Sequence, residues 1–142
     1  MMKRVKYASR YSKSLTEQEL ESLGQQAAAK NAELGVTGVL MASGGMFYQV
    51  IEGPAEAVDG LFAAIEEDER HTDVLILDVE EEVETRLFPE WSMKTVNLDA
   101  ASHVRLMPLK VLMQAVYDQR QLVDKMTWAI ERTLKHELGS SE

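Results

Sequence analysis

Alternation of apolar and polar side chains marks several short stretches of the 142-residue chain. Residues 3–9, KRVKYAS, place Val5, Tyr7 and Ser9 on one side, which predicts a first strand. Four later stretches have strand patterns: GVTGVLMAS at 35–43, GMFYQVIEG at 45–53, DVLILDV at 73–79 and a segment around WSMKTV at 91–96. The Gly-Gly pair at 44–45 favours a hairpin between the second and third strands.

Helical spacing occupies the intervals between these strands. SLTEQEL at 14–20 is a helix-start signal, in which Thr16 is the N-cap and Glu19 completes a capping box. This helix should continue to about Leu34 and stop at Gly35. A second helix should follow with Pro54 at its first position, since proline is favoured there.

The resulting order is strand, helix, strand, strand, helix, strand, strand. It predicts an α+β fold of the ferredoxin-like type, a mixed five-stranded sheet with two helices on one face. Two further helical patterns follow, one from Pro108 to Val116 and one from Leu122 to Leu134. We expect a sheet domain over residues 1–98 and a helical extension over 99–142 whose helices pack on the other face of the sheet.

Charge and composition narrow the possible functions. A formal net charge of -9 argues against nucleic-acid binding, which needs cationic side chains to neutralise phosphates. The absence of cysteine excludes disulfides and thiolate metal sites and agrees with a reducing compartment. The basic opening MMKRVKYASR is not a signal-peptide pattern, and no apolar run is long enough to cross a bilayer. We therefore expect a cytoplasmic protein without a membrane partner.

Three polar side chains fall where an apolar core is expected. Gln49 shares a strand face with Phe47 and Ile51, and Asn31 lies in the apolar stripe of the first helix. Tyr7 lies on a third element. The two amides could satisfy each other or the backbone, because a buried polar group must find a partner. Together with Tyr7 they could instead read the edge of a planar heteroaromatic ligand, since each amide has donors and an acceptor.

Five stretches in order resemble the BLUF domains, blue-light sensors that use FAD. They are YAS at 7–9, KNAELGVTGVL at 30–40, GMFYQVIEG at 45–53, DERH at 68–71 and RLFPEWSM at 86–93. The resemblance covers about residues 3–96. It implies a flavin held non-covalently between the two helices, with FAD as the cofactor and FMN or riboflavin as alternatives.

The resemblance also implies roles for matching residues. The photoactive switch would comprise Tyr7, Ser9, Gln49, Trp91 and Met93, and it leaves open whether Trp91 or Met93 faces the flavin. Flavin contacts would come from the following residues: Tyr7, Lys30, Asn31, Gln49, Asp68, Arg70 and His71. The basic pair 70–71 could instead serve only to offset the dipole at the end of the second helix.

The mechanism implied is photochemical rather than enzymatic. Tyr7 would supply an electron and then a proton to the excited flavin, and Gln49 would rotate or change tautomer. The signal would leave through the fifth strand to the C-terminal helices, to an unidentified signalling protein, or to a homo-oligomer. Two alternatives stay open: a flavin-free interaction module and a small flavin-dependent enzyme. His71, His103 and His136 are scattered and suggest no metal site.

Overall fold

The computed structural model describes residues 1–13, 15–100 and 105–139. His103 lies outside these residues. The elements in chain order are β1 (Met2–Tyr11), α1 (Glu17–Leu34), β2 (Thr37–Ser43), β3 (Met46–Pro54), α2 (Ala55–Glu67), β4 (His71–Val83), β5 (Lys94–Asn97) and α3 (Pro108–Leu138). The five-stranded mixed sheet with helices confirms the expected α+β fold class.

The sheet has the strand order β4-β1-β3-β2-β5. Strand β1 lies antiparallel to both β3 and β4, β2 lies antiparallel to β3, and β2 lies parallel to β5. The register pairs Tyr7 with Gln49 across β1 and β3, and Leu40 with Gln49 across β2 and β3. Gln49 therefore lies near the centre of the sheet, on the middle one of its five strands.

The core lies on the sheet face that carries α1 and α2. Alternate residues of β1, β2 and β3 are buried there, and Val58 of α2 is fully buried against them. The buried strand residues in this core are Val5, Tyr7, Tyr11, Leu40, Ala42, Phe47 and Ile51. Burial of this apolar surface is the main favourable term in folding and sets the register of each strand.

Helix α1 begins and ends at the residues that the sequence predicts. Thr16 accepts a hydrogen bond from the Glu19 amide at 3.1 Å, and the Glu19 carboxylate accepts from the Thr16 amide at 3.0 Å. At the other end Gly35 adopts φ 71°, a left-handed conformation that a residue without Cβ enters at little cost. These two ends fix which α1 residues face the sheet.

Several boundaries differ from the sequence prediction, and β1 continues to Tyr11 beyond its predicted end at residue 9. Pro54 is the N-cap residue of α2, one position before the expected first turn. Strand β4 is longer than residues 73–79 because its pairing with β1 continues to Met2 and Tyr11. Strand β5 begins only at Lys94, so Trp91 and Met93 belong to the connection before it rather than to the strand.

The chain divides into two compact units, Met1–Met107 and Pro108–Glu142, whereas the sequence placed the boundary after residue 98. The expectation of two C-terminal helices is wrong, because α3 is a single helix over its 31 residues. No glycine or proline interrupts residues 109–138. The polar stretch at 118–121 stays helical and makes pairs four residues apart, from Gln114 to Asp118 and from Arg120 to Asp124.

Candidate functional site

A cavity of about 290 Å³ lies over the centre of the sheet, between α1 and α2. Strands β1, β2 and β3, both helices, the α2–β4 turn and the start of β4 contribute to its wall. The polar residues lining it are Tyr7, Tyr11, Gln26, Lys30, Asn31, Gln49, Asp68, Arg70 and His71, and the apolar ones are Leu23, Ala27, Leu40, Phe47, Leu61 and Ile65. A concave site with apolar walls and a few convergent polar groups is typical of a small-molecule site.

Gln49 is held between a donor and an acceptor at the base of this cavity. Its Oε1 accepts a hydrogen bond from the Tyr7 hydroxyl, and its Nε2 donates to the Met93 Sδ at 3.5 Å. All three side chains are buried. Burial raises the pKa of the Tyr7 phenol, because the phenolate would be poorly solvated there, so the hydroxyl keeps its proton at neutral pH.

Asn31 leaves one polar atom without a partner. Its Nδ2 donates to the Ser92 carbonyl oxygen at 3.0 Å, which ties α1 to the connection before β5. Its Oδ1 is buried and accepts no hydrogen bond from any residue that the structure describes. Because an unsatisfied buried acceptor costs roughly 1–3 kcal/mol, this oxygen is suited to a ligand N–H in the cavity.

His71 and Ser9 meet at the β4 end of the cavity. The Ser9 Oγ lies 3.0 Å from the His71 Nδ1, and the Tyr11 ring packs edge-on against the imidazole with centroids 4.9 Å apart. Burial lowers the pKa of His71; the Asp68 carboxylate opposes this shift, and the Arg70 cation adds to it. His71 is therefore neutral near pH 7 and can both donate and accept hydrogen bonds.

The cationic side chains lie at the more exposed part of the cavity. Arg70 is exposed and binds the Asp68 carboxylate, with Nη2 2.6 Å from Oδ2. This hydrogen bond lowers the pKa of Asp68 to about 2. Lys30 is exposed on α1, and a neighbouring hollow of about 260 Å³ adds Lys13. Cations here could contact the phosphates of a ligand whose ring occupies the apolar part.

Trp91 and Met93 take different positions. Met93 is buried and contacts Gln49, whereas Trp91 is 39% exposed and stacks on Phe88, with ring centroids 5.8 Å apart. Of the residues that the sequence suggested for the switch, Tyr7, Gln49 and Met93 form a direct chain. Ser9 adjoins His71 instead, and Trp91 lies outside the cavity.

Several wall residues were missed by the sequence analysis. Tyr11 continues the alternation of Tyr7 and Ser9 along β1. The sequence prediction ended this strand at residue 9 and therefore did not include Tyr11. Leu61 and Ile65 line the cavity from α2. The helical pattern alone cannot separate a residue that lines a cavity from one that fills the core, since both are apolar and face inward.

Comparisons with known proteins agree with this site. Residues 2–94 match the BLUF family, described as sensors of blue light using FAD. The chain therefore belongs to the BLUF family. The unpartnered Asn31 Oδ1, the Tyr7–Gln49 pair and the apolar walls fit a flavin ring, and the cofactor of the family is FAD.

The most informative relatives are light-regulated proteins. The β subunit of photoactivated adenylate cyclase from Euglena longa is 33% identical over 88 residues, which are 61% of this chain and 10% of that protein. The α subunit from Euglena gracilis is 38% identical over 80 residues, which are 56% of this chain and 8% of that one. The chain thus spans about a tenth of these curated relatives.

Two solved structures share this architecture over most of the chain. A bacterial light-regulated adenylyl cyclase superposes with a TM-score of 0.79 and 38% identity, covering 88% of this chain and 36% of that one. The dark-state structure of BlrB, a BLUF protein, has a TM-score of 0.70 and 29% identity, covering 94% of this chain and 97% of BlrB. Helices within the described residues include none that is long and apolar enough to span a membrane.

Proposed function

We propose that this protein senses blue light through a hydrogen-bond switch at Gln49 that Tyr7 drives, and that it has no catalytic activity of its own. One observation carries the proposal: the buried chain from the Tyr7 hydroxyl to the Gln49 amide to the Met93 thioether, at the base of the cavity. The bound flavin would supply light absorption and an electron acceptor. The other steps belong to the protein's own side chains.

The two ends of the Gln49 amide differ in chemistry but hardly in shape. In the present orientation Tyr7 donates to Oε1 and Nε2 donates to the Met93 sulfur. A half-turn of the amide would direct Nε2 at Tyr7 and Oε1 at Met93. The thioether has no proton to donate, so the turned amide loses its bond to Met93, and the Tyr7 hydroxyl must accept instead of donate. Met93 thus favours one orientation in the dark.

Cofactor contacts follow from the cavity wall. Asn31 would accept a ring N–H at Oδ1, and Gln49 would donate or accept at the ring edge, according to its orientation. The proton of Tyr7 is retained at its hydroxyl until oxidation makes the phenol acidic. Lys13, Lys30 and Arg70 would contact the phosphates of FAD, while Asp68 orients Arg70 and Ser9 orients His71.

Output would pass through assembly of the protein or through a separate signalling protein. Helix α3, taken by itself, has a largely apolar stripe at heptad spacing: Val116, Val123 and Ile130 at a positions, and Leu112 and Met126 at d positions, with polar residues at the d positions 119 and 133. Val123, Met126 and Ile130 are each more than half exposed. β-Branched residues at a favour a parallel two-stranded coiled coil. We take the occupant of this stripe to be α3 of a second copy.

A light-minus-dark absorption spectrum of the purified protein tests the proposal. The protein should be yellow, and blue light should shift its flavin absorption reversibly to longer wavelength. A yellow protein without that shift would contradict the switch. A colourless protein that cannot be loaded with FAD would support a flavin-free interaction module, and turnover of an added substrate would support an enzyme.

A further inference from the structure

The connection between β4 and β5 is long and has no ladder of its own. Residues 84–93 lead from one edge strand of the sheet to the other, past β1, β3 and β2, and contain neither helix nor strand. Individual hydrogen bonds must therefore hold this connection in place. It includes Met93, the residue that contacts Gln49.

A fully buried carboxylate binds the first half of the connection. Glu52 of β3 is 0% exposed, and its oxygens accept from the backbone amides of Leu87 at 3.0 Å and Phe88 at 2.6 Å. It also accepts from the Arg4 Nε at 2.9 Å. Arg4 in turn donates to the Thr85 carbonyl oxygen at 2.7 Å. The buried ion pair thus fixes three backbone groups within four residues, through charge-assisted hydrogen bonds.

The same strand holds the other end of the connection. Gln49, three residues before Glu52 and on the opposite face of β3, contacts Met93. Between these points Gly38 donates to the Trp91 carbonyl oxygen at 2.8 Å, and Asn31 donates to that of Ser92. Residues 89–93 are therefore a short span between two anchors, and the position of Met93 depends on both.

We propose that Glu52, oriented by Arg4, is a positioning residue of the switch: it fixes residues 85–88 so that Met93 reaches Gln49. The inference rests on the proposed function of Gln49. Glu52 contacts neither the cavity nor Gln49, and it acts only through the connection. Replacing the carboxylate with an amide leaves one acceptor oxygen instead of two, so at least one of the Leu87 and Phe88 amides should lose its acceptor, Met93 should be able to move, and the bond that favours the dark orientation of Gln49 should weaken.

The first test needs no light. Amide hydrogen exchange is measured by NMR on the FAD-loaded protein in the dark, for wild type, Glu52→Gln and Arg4→Lys. The matched control is Glu84→Gln, an exposed carboxylate at the first residue of the connection. Exchange at one or both of Leu87 and Phe88 should rise roughly tenfold or more in Glu52→Gln, as expected for losing a hydrogen bond to a charged acceptor, and stay unchanged in Glu84→Gln. Protection that persists in Glu52→Gln overturns the inference.

The second test measures dark recovery of the light-induced absorption shift, with Met93→Leu as the reference for a lost sulfur acceptor. Glu52→Gln should change the recovery time about threefold or more in the same direction as Met93→Leu, and should add little in the Met93→Leu background. Unchanged recovery despite freed amides, or fully additive effects, would show that Glu52 is only structural. Should Glu52→Gln fail to fold, Arg4→Lys decides by the same criteria. A wild type with no light response refutes the proposed function itself, and the inference falls with it.

Discussion

The hydroxyl of Tyr7 and the sulfur of Met93 give the two ends of the Gln49 amide different partners. A symmetric pair of partners would leave the amide free to take either orientation at equal cost. Here one partner donates and the other can only accept, so a single orientation satisfies both. Glutamate at this position would be acceptor-only when ionised and would lose the contact with the thioether.

Replacing Tyr7 with phenylalanine tests the donor directly. We expect Tyr7→Phe to abolish the light-induced red shift while FAD stays bound, because the ring still packs but no hydroxyl can give up a proton. Difference spectroscopy and the flavin-to-protein absorbance ratio measure the two properties. The matched control is Tyr48→Phe, since Tyr48 adjoins Gln49 in β3 but points to the opposite face. A normal red shift in Tyr7→Phe would refute the role of Tyr7.

The free Oδ1 of Asn31 predicts a contribution to flavin affinity. Asn31→Ala removes the acceptor and should weaken FAD retention by roughly tenfold, in line with about 1.4 kcal/mol for one lost hydrogen bond in a buried site. The affinity is measured by fluorescence titration with FAD after the flavin has been stripped. Gln25→Ala, an exposed amide on the same helix, is the control and should leave the affinity unchanged. Equal affinities would exclude a bond from Asn31 to the ring.

The lowered pKa of His71 predicts a loss of stability in mild acid. Because the folded pKa lies below the ordinary value of about 6.5, the unfolded chain binds more protons as the pH falls below 6.5. The contribution of His71 to the free energy of unfolding is complete above about pH 6.5 and is lost as the pH falls toward the pKa of His71 in the folded protein. The slope is at most about 1.4 kcal/mol per pH unit, and partial exposure reduces it.

Urea unfolding at a fixed FAD concentration, between about pH 7.5 and pH 5.5, measures this loss. His71→Gln should show a smaller decrease in the free energy of unfolding over that interval than the wild type does. Asp68, whose pKa is lowered to about 2, loses its contribution only at more acidic pH and does not confuse the comparison. Identical pH profiles for the two proteins would contradict the assignment of a neutral His71.

At the scale of elements, the sequence correctly predicted those ends of helices and strands that depend on interactions between residues close together in the chain. The capping box at Thr16, the left-handed Gly35 and the Gly-Gly hairpin all lie where the sequence indicated. The start of β5 could not be predicted, because Trp91 and Met93 alternate like strand residues while their backbone is held by Gly38 and Asn31 from distant elements. Tertiary hydrogen bonds override the local pattern there.

In the candidate site too, local patterns predicted some residues, whereas others depend on contacts between distant parts of the chain. Alternation placed Tyr7, Gln49 and Phe47 on the cavity side from sequence alone, since period-2 spacing determines the face of a strand. The choice between Trp91 and Met93 depended on an irregular backbone, which no periodicity describes. The buried ion pair of Arg4 and Glu52 was missed because a single charge on a strand gives no indication of burial. The backbone amides that Glu52 binds are also more than 30 residues away along the chain.

The capping box of α1 predicts a measurable share of stability. Thr16→Ala removes the side-chain acceptor for the Glu19 amide and should lower the free energy of unfolding by about 1 kcal/mol. Since α1 also carries Asn31, FAD added in excess should raise the free energy of unfolding of the variant toward that of the wild type without FAD. Chemical denaturation measures both effects. Thr127→Ala, an exposed threonine within α3, is the control and should change stability far less.

At the scale of the whole molecule, the chain matches nearly all of BlrB but about a third of the bacterial cyclase. The matched sensor region therefore occurs both with and without a large additional part. In the described residues no cluster of histidine, aspartate or glutamate could hold a metal ion, and the sheet unit offers the cavity already assigned to FAD. The proposal requires that a change at Gln49 alters some interaction of the protein, either with a second copy of the chain or with a separate signalling protein.

The exposed stripe of α3 makes that assembly testable. In a parallel coiled coil the two copies of Val123 face each other at an a position, so Val123→Lys would bring two like charges together in an apolar interface. We expect wild type to be a dimer by light scattering, and Val123→Lys to weaken the dimer roughly tenfold or more. Val111→Lys is the matched control, since Val111 is 71% exposed but lies off the stripe, at a c position. A monomeric wild type at high concentration, or a Val123→Lys protein that dimerises as well as Val111→Lys, would show that another partner covers the stripe.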